Sequence, residues 1–140
     1  MNHDDAIEVL EWFATGKTPP STAALERIGY RGLLQLLSSG LVVAAEVEFE
    51  SKDTAEHVRN FAKNLEQLFP DAEPPLHAES VEKLLRMALE TEDVELDIPT
   101  DELVATGMRM IHHIIKSHEF DEPQRRQYYE AVTAMACSKQ

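Results

Sequence analysis

Residues 100–115, which read TDELVATGMRMIHHII, form the most apolar helical pattern in this chain. In a helix drawn through them, apolar residues and one glycine cover well over half of the circumference: Leu103, Val104, Gly107, Met108, Met110, Ile111, Ile114 and Ile115. A helix that is apolar on so many sides normally lies at the centre of a bundle, because other helices must shield it from water. The stretch therefore predicts an all-α fold in which this helix, capped by Thr100, is the central one.

Helical spacing of apolar residues continues along the rest of the chain, and we expect about seven helices in total. Gly16 should end the first helix, and Ser21 should cap a short helix that ends at Gly29. Gly40 should end the helix after that one. The length of 140 residues fits a single compact domain spanning 1–140, with a candidate subdomain break at the proline-rich linker 70–75.

Two short segments have the alternation of a β-strand. Residues 43–49 alternate apolar side chains with Ala44, Glu46 and Glu48, and residues 94–98 alternate valine, leucine and isoleucine with acidic residues. The two segments could pair as a minor two-stranded ribbon, although carboxylates facing each other would disfavour its exposed side. An extended loop explains either segment equally well.

The charge of the chain is strongly acidic and uneven. It has 26 Asp and Glu against 13 Lys and Arg, for a formal net charge of −13. The segment 71–102 alone contains eleven acidic residues, against only Lys83 and Arg86. Such a field repels nucleic acid and anionic membrane, and it attracts basic partners. We therefore expect no direct nucleic-acid binding, no membrane association and a basic protein partner.

The densest acidic stretch supplies the candidate partner-binding residues. A net charge of magnitude roughly 2–8 generally keeps a small domain soluble, so solubility alone does not require this concentration. A calcium loop is excluded, because the residue after Asp93, Glu95 and Asp97 that should be glycine is Ile98. A solvated loop with no partner is the simplest alternative. The residues that we expect to contact a basic partner are Glu90, Glu92, Asp93, Glu95 and Asp97.

These observations favour a non-enzymatic protein over an enzyme: an acidic adaptor or inhibitor, of the antitoxin, immunity-protein or nucleic-acid-mimic kind. We identify no catalytic residue and no cofactor motif. One alternative is a metal-dependent helical enzyme or sensor that uses His112, His113 and His118 with the acidic residues up to Glu122. Histidines near a helix C-terminus also complement its dipole, and their spacing is not the paired one-turn spacing of helical metal sites, so we assign no metal ligand.

Residues 21–43 are loosely similar to the helix-turn-helix of winged-helix regulators, with a turn at Gly29 and Tyr30. The second helix of such a domain enters the major groove, but here it offers only Arg31 and Gln35. A dimeric regulator that associates through the apolar helices between residues 103 and 136 is a further alternative, so a homodimer is included among the expected partners.

The remaining features favour a cytoplasmic protein. No run approaches the roughly 20 apolar residues of a membrane span. The first residues are acidic where a secretory signal is basic. Cys137 is the only cysteine, which excludes an internal disulfide, and on the apolar side of a terminal helix it should be a small buried residue.

Overall fold

Six α-helices make up the part of the chain that the computed structural model describes, residues 1–16, 18–49, 54–72, 75–90 and 99–138. They form a single compact all-α arrangement, as predicted, and no strand occurs among these residues. The helices are α1 (His3–Thr15), α2 (Thr22–Glu48), α3 (Thr54–Leu68), α4 (Ala78–Glu90), α5 (Thr100–Ser117) and α6 (Glu122–Ser138).

The centre of the bundle is shared by α2 and α5. Helix α2 packs against α1, α4, α5 and α6, whereas α5 packs against α1, α2 and α4. A Cβ atom on Gly107 would lie 2.9 Å from Leu37 Cδ1, and one on Gly40 would lie 3.0 Å from the Tyr128 hydroxyl. The absence of side chains at these two glycines therefore allows α2 to approach α5 and α6 closely. The prediction that α5 alone is central was too narrow. The prediction that Thr100 caps this helix was also wrong, because Pro99 is the N-cap and Thr100 is already the first helical residue.

Several predicted helix ends are confirmed. Gly16 adopts the left-handed conformation (φ 66°) after α1, and its amide donates to the Trp12 carbonyl. The Ser21 hydroxyl accepts a hydrogen bond from the Ala24 amide at the start of α2. Gly29 has φ 72° and kinks α2, so the predicted short helix does stop there. The number of helices among the described residues, six, is close to the predicted seven.

Two predictions about α2 were wrong. Gly40 does not end a helix but lies buried within α2. Residues 43–48 continue the same helix instead of forming a strand, and Phe49 is its C-cap. The buried side chains Leu41, Ala44 and Ala45 follow helical spacing, so contacts with the core favour the helix over the apparent alternation. The partner segment 94–98 lies outside the described residues, and so does the acidic stretch that it belongs to.

The helical form of 43–48 also removes the strand that would follow the recognition helix of a winged-helix domain. A kink at one residue, Gly29, replaces the turn between two separate helices. The similarity to winged-helix regulators therefore does not extend to the structure of residues 22–48.

Helix α2 is the one helix among the described residues that is long and apolar enough to cross a membrane, judged by length and composition alone. The central helix of a helical bundle passes the same test, and residues of α2 such as Leu36, Leu37 and Leu41 are buried in the core. Its membership of that core accounts for its composition.

An ion pair between a buried carboxylate and a largely exposed guanidinium joins α1 to α2. Asp5 is only 4% exposed, and its two carboxylate oxygens each accept a hydrogen bond of 2.8 Å from the Arg27 guanidinium. The guanidinium holds the pKa of Asp5 below its ordinary value, because hydrogen bonds stabilise the ionised carboxylate. This pair holds the N-terminal part of α1 against α2. Helix α1 also packs against α6.

Candidate functional site

The predicted partner-binding residues fall almost entirely outside the described part of the chain. Glu90 is the last residue of α4, and its side chain is not described. Glu92, Asp93, Glu95 and Asp97 lie outside the described residues. Their role in partner binding therefore stays a prediction.

The three histidines proposed as an alternative metal site have three different partners. His112 Nδ1 lies 2.6 Å from the Ala14 carbonyl oxygen and donates a hydrogen bond to it. His113 packs edge-on against the Phe61 ring, and burial lowers its pKa. His118 is hydrogen-bonded to the Glu48 carboxylate. No group of three His, Cys, Asp or Glu side chains among the described residues has a geometry that could hold a metal ion.

Glu48, at the end of α2, joins His118 to a histidine that the sequence did not single out. The His57 Nε2 atom lies 3.4 Å from Glu48 Oε1, while His118 contacts Oε2. The carboxylate thus links the ends of α2 and α5 to the start of α3. Because these residues are far apart in the chain, no sequence spacing could have revealed the contact.

A groove of about 380 Å³ between α1 and α6 brings together four acidic side chains from the two helices. We call it the α1–α6 groove. Asp4, Glu8 and Glu11 line it from α1, where a spacing of four and three residues puts all three on one face. Each of the three is exposed. Its complete lining is His3, Asp4, Ile7, Glu8, Glu11, Arg126, Tyr129 and Glu130.

Two basic side chains stand at this groove. His3 Nε2 lies 3.0 and 3.1 Å from the two Glu130 oxygens, which raises the pKa of His3. Arg126 lies 3.6 Å from Glu122, one turn before it on α6. The ion pairs Asp5–Arg27, Lys83–Glu79 and Arg126–Glu122 do not use the carboxylates of the groove.

The floor of the groove has an unusual tyrosine. Tyr129 is only 3% exposed, and its hydroxyl has no hydrogen-bond partner among the described residues. Burial raises its pKa and the negative charge of Glu11 raises it further, whereas the Arg125 guanidinium beside the hydroxyl opposes both effects. The adjacent Tyr128 differs, because its hydroxyl donates to the Gly40 carbonyl at 2.7 Å. The Tyr129 hydroxyl thus has Arg125 as its nearest basic neighbour and makes no hydrogen bond as short and direct as that of Tyr128.

This arrangement favours a cation. Four carboxylates surround a cavity whose floor is formed by Ile7 and Tyr129, so an alkyl chain with a charged end fits its chemistry. The groove was not predicted from the sequence. The regular spacing of Asp4, Glu8 and Glu11 was a usable signal, but nothing in the sequence indicated that Glu130 would lie opposite them.

A second groove, of about 570 Å³, lies between the end of α3 and the end of α5, and we call it the α3–α5 groove. Its lining includes Leu68, which is 56% exposed, together with Phe69, Lys116 and two of the histidines described above. Glu119 is also part of it and has a left-handed backbone, with φ 51°.

Comparisons with protein-family models, with curated proteins and with solved structures found no match for this chain.

Proposed function

We propose that the protein is a non-enzymatic interaction module that binds a basic protein partner, with the α1–α6 groove as an anchoring site. The observation that supports it is the convergence of four carboxylates on one cavity with an apolar floor. A basic side chain of the partner would exchange water for several negatively charged acceptors there.

The charge of the whole chain supports the same proposal. A formal net charge of −13 attracts a basic protein over a distance of about one Debye length, roughly 8–10 Å at moderate salt. The groove then supplies short-range contacts that a diffuse charge lacks. The acidic residues Glu90, Glu92, Asp93, Glu95 and Asp97 remain a proposed second contact region.

An inhibitor, an antitoxin or immunity protein, and a nucleic-acid mimic are the forms that such a module could take. Each uses carboxylates to cover a basic surface that otherwise meets phosphates or substrate. A cytoplasmic location is part of the proposal. Cys137 is free and, contrary to the sequence-based expectation, exposed, which suits a reducing compartment.

Affinity capture with matched variants tests this proposal. The wild type, the double variant Glu8→Gln/Glu11→Gln and the control Glu46→Gln/Glu56→Gln are immobilised, exposed to lysate at low salt and eluted with a salt gradient. Both double variants remove two exposed carboxylates, but Glu46 and Glu56 lie outside the groove. We expect one basic protein to elute at the same salt from the wild type and the control, and at lower salt from the groove variant.

Two results would contradict the proposal. Equal elution from the groove variant and the control would show that the groove makes no contact. Direct binding of nucleic acid to the pure protein would contradict the expected partner class. Elemental analysis of untagged protein tests the alternative of a metal-dependent enzyme or sensor, because a stoichiometric transition metal would favour that function instead.

A further inference from the structure

We propose that α3 is held to the ends of α2 and α5 by a pH-sensitive contact, which opens when His113 takes up a proton in mildly acidic solution. We call this group of side chains the α3 contact, and it consists of Glu48, Phe49, His57, Phe61 and His113. The inference does not depend on the α1–α6 groove or on a partner, and it goes beyond the proposed function.

Helix α3 is attached to the rest of the bundle in two places. Among the described helices, α4 is the one that it packs against extensively. It meets the ends of α2 and α5 through Phe61, whose ring centroid lies 5.6 Å from that of Phe49 and 5.7 Å from that of His113. His57, in the first turn of α3, also packs against Phe49, with centroids 4.5 Å apart. A change at His113 therefore acts directly on one of the two attachments.

His113 lies where a neutral imidazole is favoured. Its ring is edge-on to the Phe61 ring, at an interplanar angle of 60°. Burial is the main reason that the pKa of His113 is lowered. The charges that act on it among the described residues are Glu48, which favours the imidazolium, and His112 and Lys116, which disfavour it. Uptake of a proton thus places a cation in a half-buried contact that was formed by a neutral ring.

Glu48, the carboxylate that acts on His113, already has two other histidine partners. Its Oε1 atom lies 3.4 Å from His57 Nε2, and its Oε2 atom contacts His118 Nε2. A protonated His113 must therefore compete with both for one carboxylate, or turn away from Phe61 toward water. The first change displaces His57 from Glu48 and the second separates His113 from Phe61. Either change weakens the α3 contact.

The α3–α5 groove gives the charged ring a place to turn into. His113 is one of its lining residues, and the cavity of about 570 Å³ is open to solvent. The Glu119 carboxylate lines the same groove, so an imidazolium that turns outward reaches both water and a negative charge. No other helix has to move for the ring to leave Phe61.

The two other histidines respond to acid in the opposite direction. Protonated His57 and His118 bind the Glu48 carboxylate more strongly than neutral rings do, which favours the closed contact. Their side chains are 39% and 36% exposed, and ion pairs with that much access to water contribute little. Burial of an imidazolium whose counter-ion is already used costs more. We therefore expect opening to dominate as the pH falls.

Hydrogen exchange of the full chain, measured by mass spectrometry at pH 7.5 and pH 5.5, tests this inference. Protection factors correct for the intrinsic pH dependence of exchange, and α6 in the same sample serves as the internal reference. The variants His113→Phe and His113→Gln both remove the titrating group, and the first also keeps an aromatic ring. The matched control is His77→Gln, which removes an exposed histidine outside the α3 contact. Circular dichroism checks that each variant is folded.

We expect the protection of α3 in the wild type to fall by at least about threefold between pH 7.5 and pH 5.5, within the limit of about tenfold per pH unit that uptake of one proton sets. Helix α6 should keep its protection. Each His113 variant should have the same α3 protection at both pH values, and His77→Gln should behave like the wild type. An NMR titration of the imidazole signals should place the midpoint of His113 at the pH at which α3 opens.

Three results would overturn the inference. Constant or increased protection of α3 at pH 5.5 would mean that the pairs of Glu48 with His57 and His118 dominate. An equal loss of protection in α3 and α6 would indicate global destabilisation instead of local opening. A loss that persists in both His113 variants would assign the effect to another group. The α1–α6 groove is tested separately, by the elution of the groove variant.

Discussion

The α1–α6 groove and the α3–α5 groove are built on the same helical bundle but differ in their balance of charged side chains. Four carboxylates line the first together with His3 and Arg126, whereas the single carboxylate of Glu119 lines the second together with Lys116, two histidines and an exposed leucine. Each groove also contains a histidine whose pKa is shifted, upward for His3 and downward for His113. The same residue type therefore responds in opposite ways to a neighbouring carboxylate and to burial.

Helix dipoles account for the placement of Lys116 in the α3–α5 groove but not for all of the carboxylates in the α1–α6 groove. Lys116 is in the last turn of α5, where a cation is favourable, so the basic side of the α3–α5 groove needs no ligand to account for it. Asp4 is likewise in the first turn of α1, where a carboxylate is favourable. Glu8 and Glu11 lie beyond that turn, and the dipole does not account for them. This difference is why we propose the α1–α6 groove, and not the α3–α5 groove, as the anchoring site.

The largest effect should come from a change that disturbs the core beneath both grooves. In Gly107→Leu, the new side chain meets Leu37, since even a Cβ atom would be 2.9 Å from it. Leucine is a good helix former, so any loss reflects packing alone. We expect the free energy of unfolding in urea to fall by about 1–3 kcal/mol. The added variant Leu37→Ala should cost less in this background than in the wild type, and additive losses would show that the two residues do not meet.

A smaller effect should distinguish the two adjacent tyrosines. Tyr128→Phe removes the buried hydrogen bond to the Gly40 carbonyl and should lower the free energy of unfolding by about 1 kcal/mol. Tyr129→Phe removes a hydroxyl that has only the Arg125 guanidinium beside it and no short, direct hydrogen bond, so its free energy of unfolding should stay within about 0.5 kcal/mol of the wild type. A large stability loss in Tyr129→Phe would mean that its hydroxyl already has a partner within the protein.

Replacement of Glu119 in the α3–α5 groove should be mildly stabilising. Among the described residues it is the one non-glycine with positive φ, and it follows α5 at the position where glycine is usual. The Phe120 amide donates to the Ile115 carbonyl across it. We expect Glu119→Gly to raise the free energy of unfolding by about 1 kcal/mol or less, because strain is relieved while unfolded-state entropy increases. A decrease in thermal stability would show that the Glu119 side chain makes a stabilising contact.

The smallest effects should be opposite pH dependences of stability in the two grooves. The pKa of His3 is raised in the folded state, so its contribution is fully present below pH 6.5 and is lost as the pH rises through the folded value. The pKa of His113 is lowered, so its contribution is present above pH 6.5 and is lost as the pH falls through the folded value. The urea midpoint should be measured as a function of pH on both sides of pH 6.5. The midpoint should depend less on pH on the alkaline side in His3→Gln and on the acidic side in His113→Gln. Identical profiles for the two variants would contradict the assignment.

Much of the local structure could be predicted from short stretches of sequence. The ends at Gly16 and Gly29 and the cap at Ser21 depend on a few neighbouring residues, and these predictions are confirmed. The predicted strand at 43–49 was wrong because this segment also fits helical spacing, and the strand-like alternation was the weaker of the two patterns. Contacts of Leu41, Ala44 and Ala45 with the core favoured the helix.

The candidate site was much less predictable. Sequence reasoning concentrated on the acidic residues 90–97, and the structure brings together another set that includes Asp4 and Glu130, from opposite ends of the chain. Likewise His112, His113 and His118 are close in sequence but contact three separate partners. Neighbours in sequence along one helix point in different directions, so proximity in the chain did not define a site.

The sequence by itself determined the helical class, several helix ends and the acidic charge, because hydrophobic periodicity, capping residues and net charge depend on local composition. Only the tertiary structure decided that α1 and α6 would enclose an acidic groove, that Tyr129 would be buried beside it and that His3 would contact Glu130. Those features depend on which helices pack together, and that depends on how large and small side chains such as Leu37 and Gly107 fit across the core.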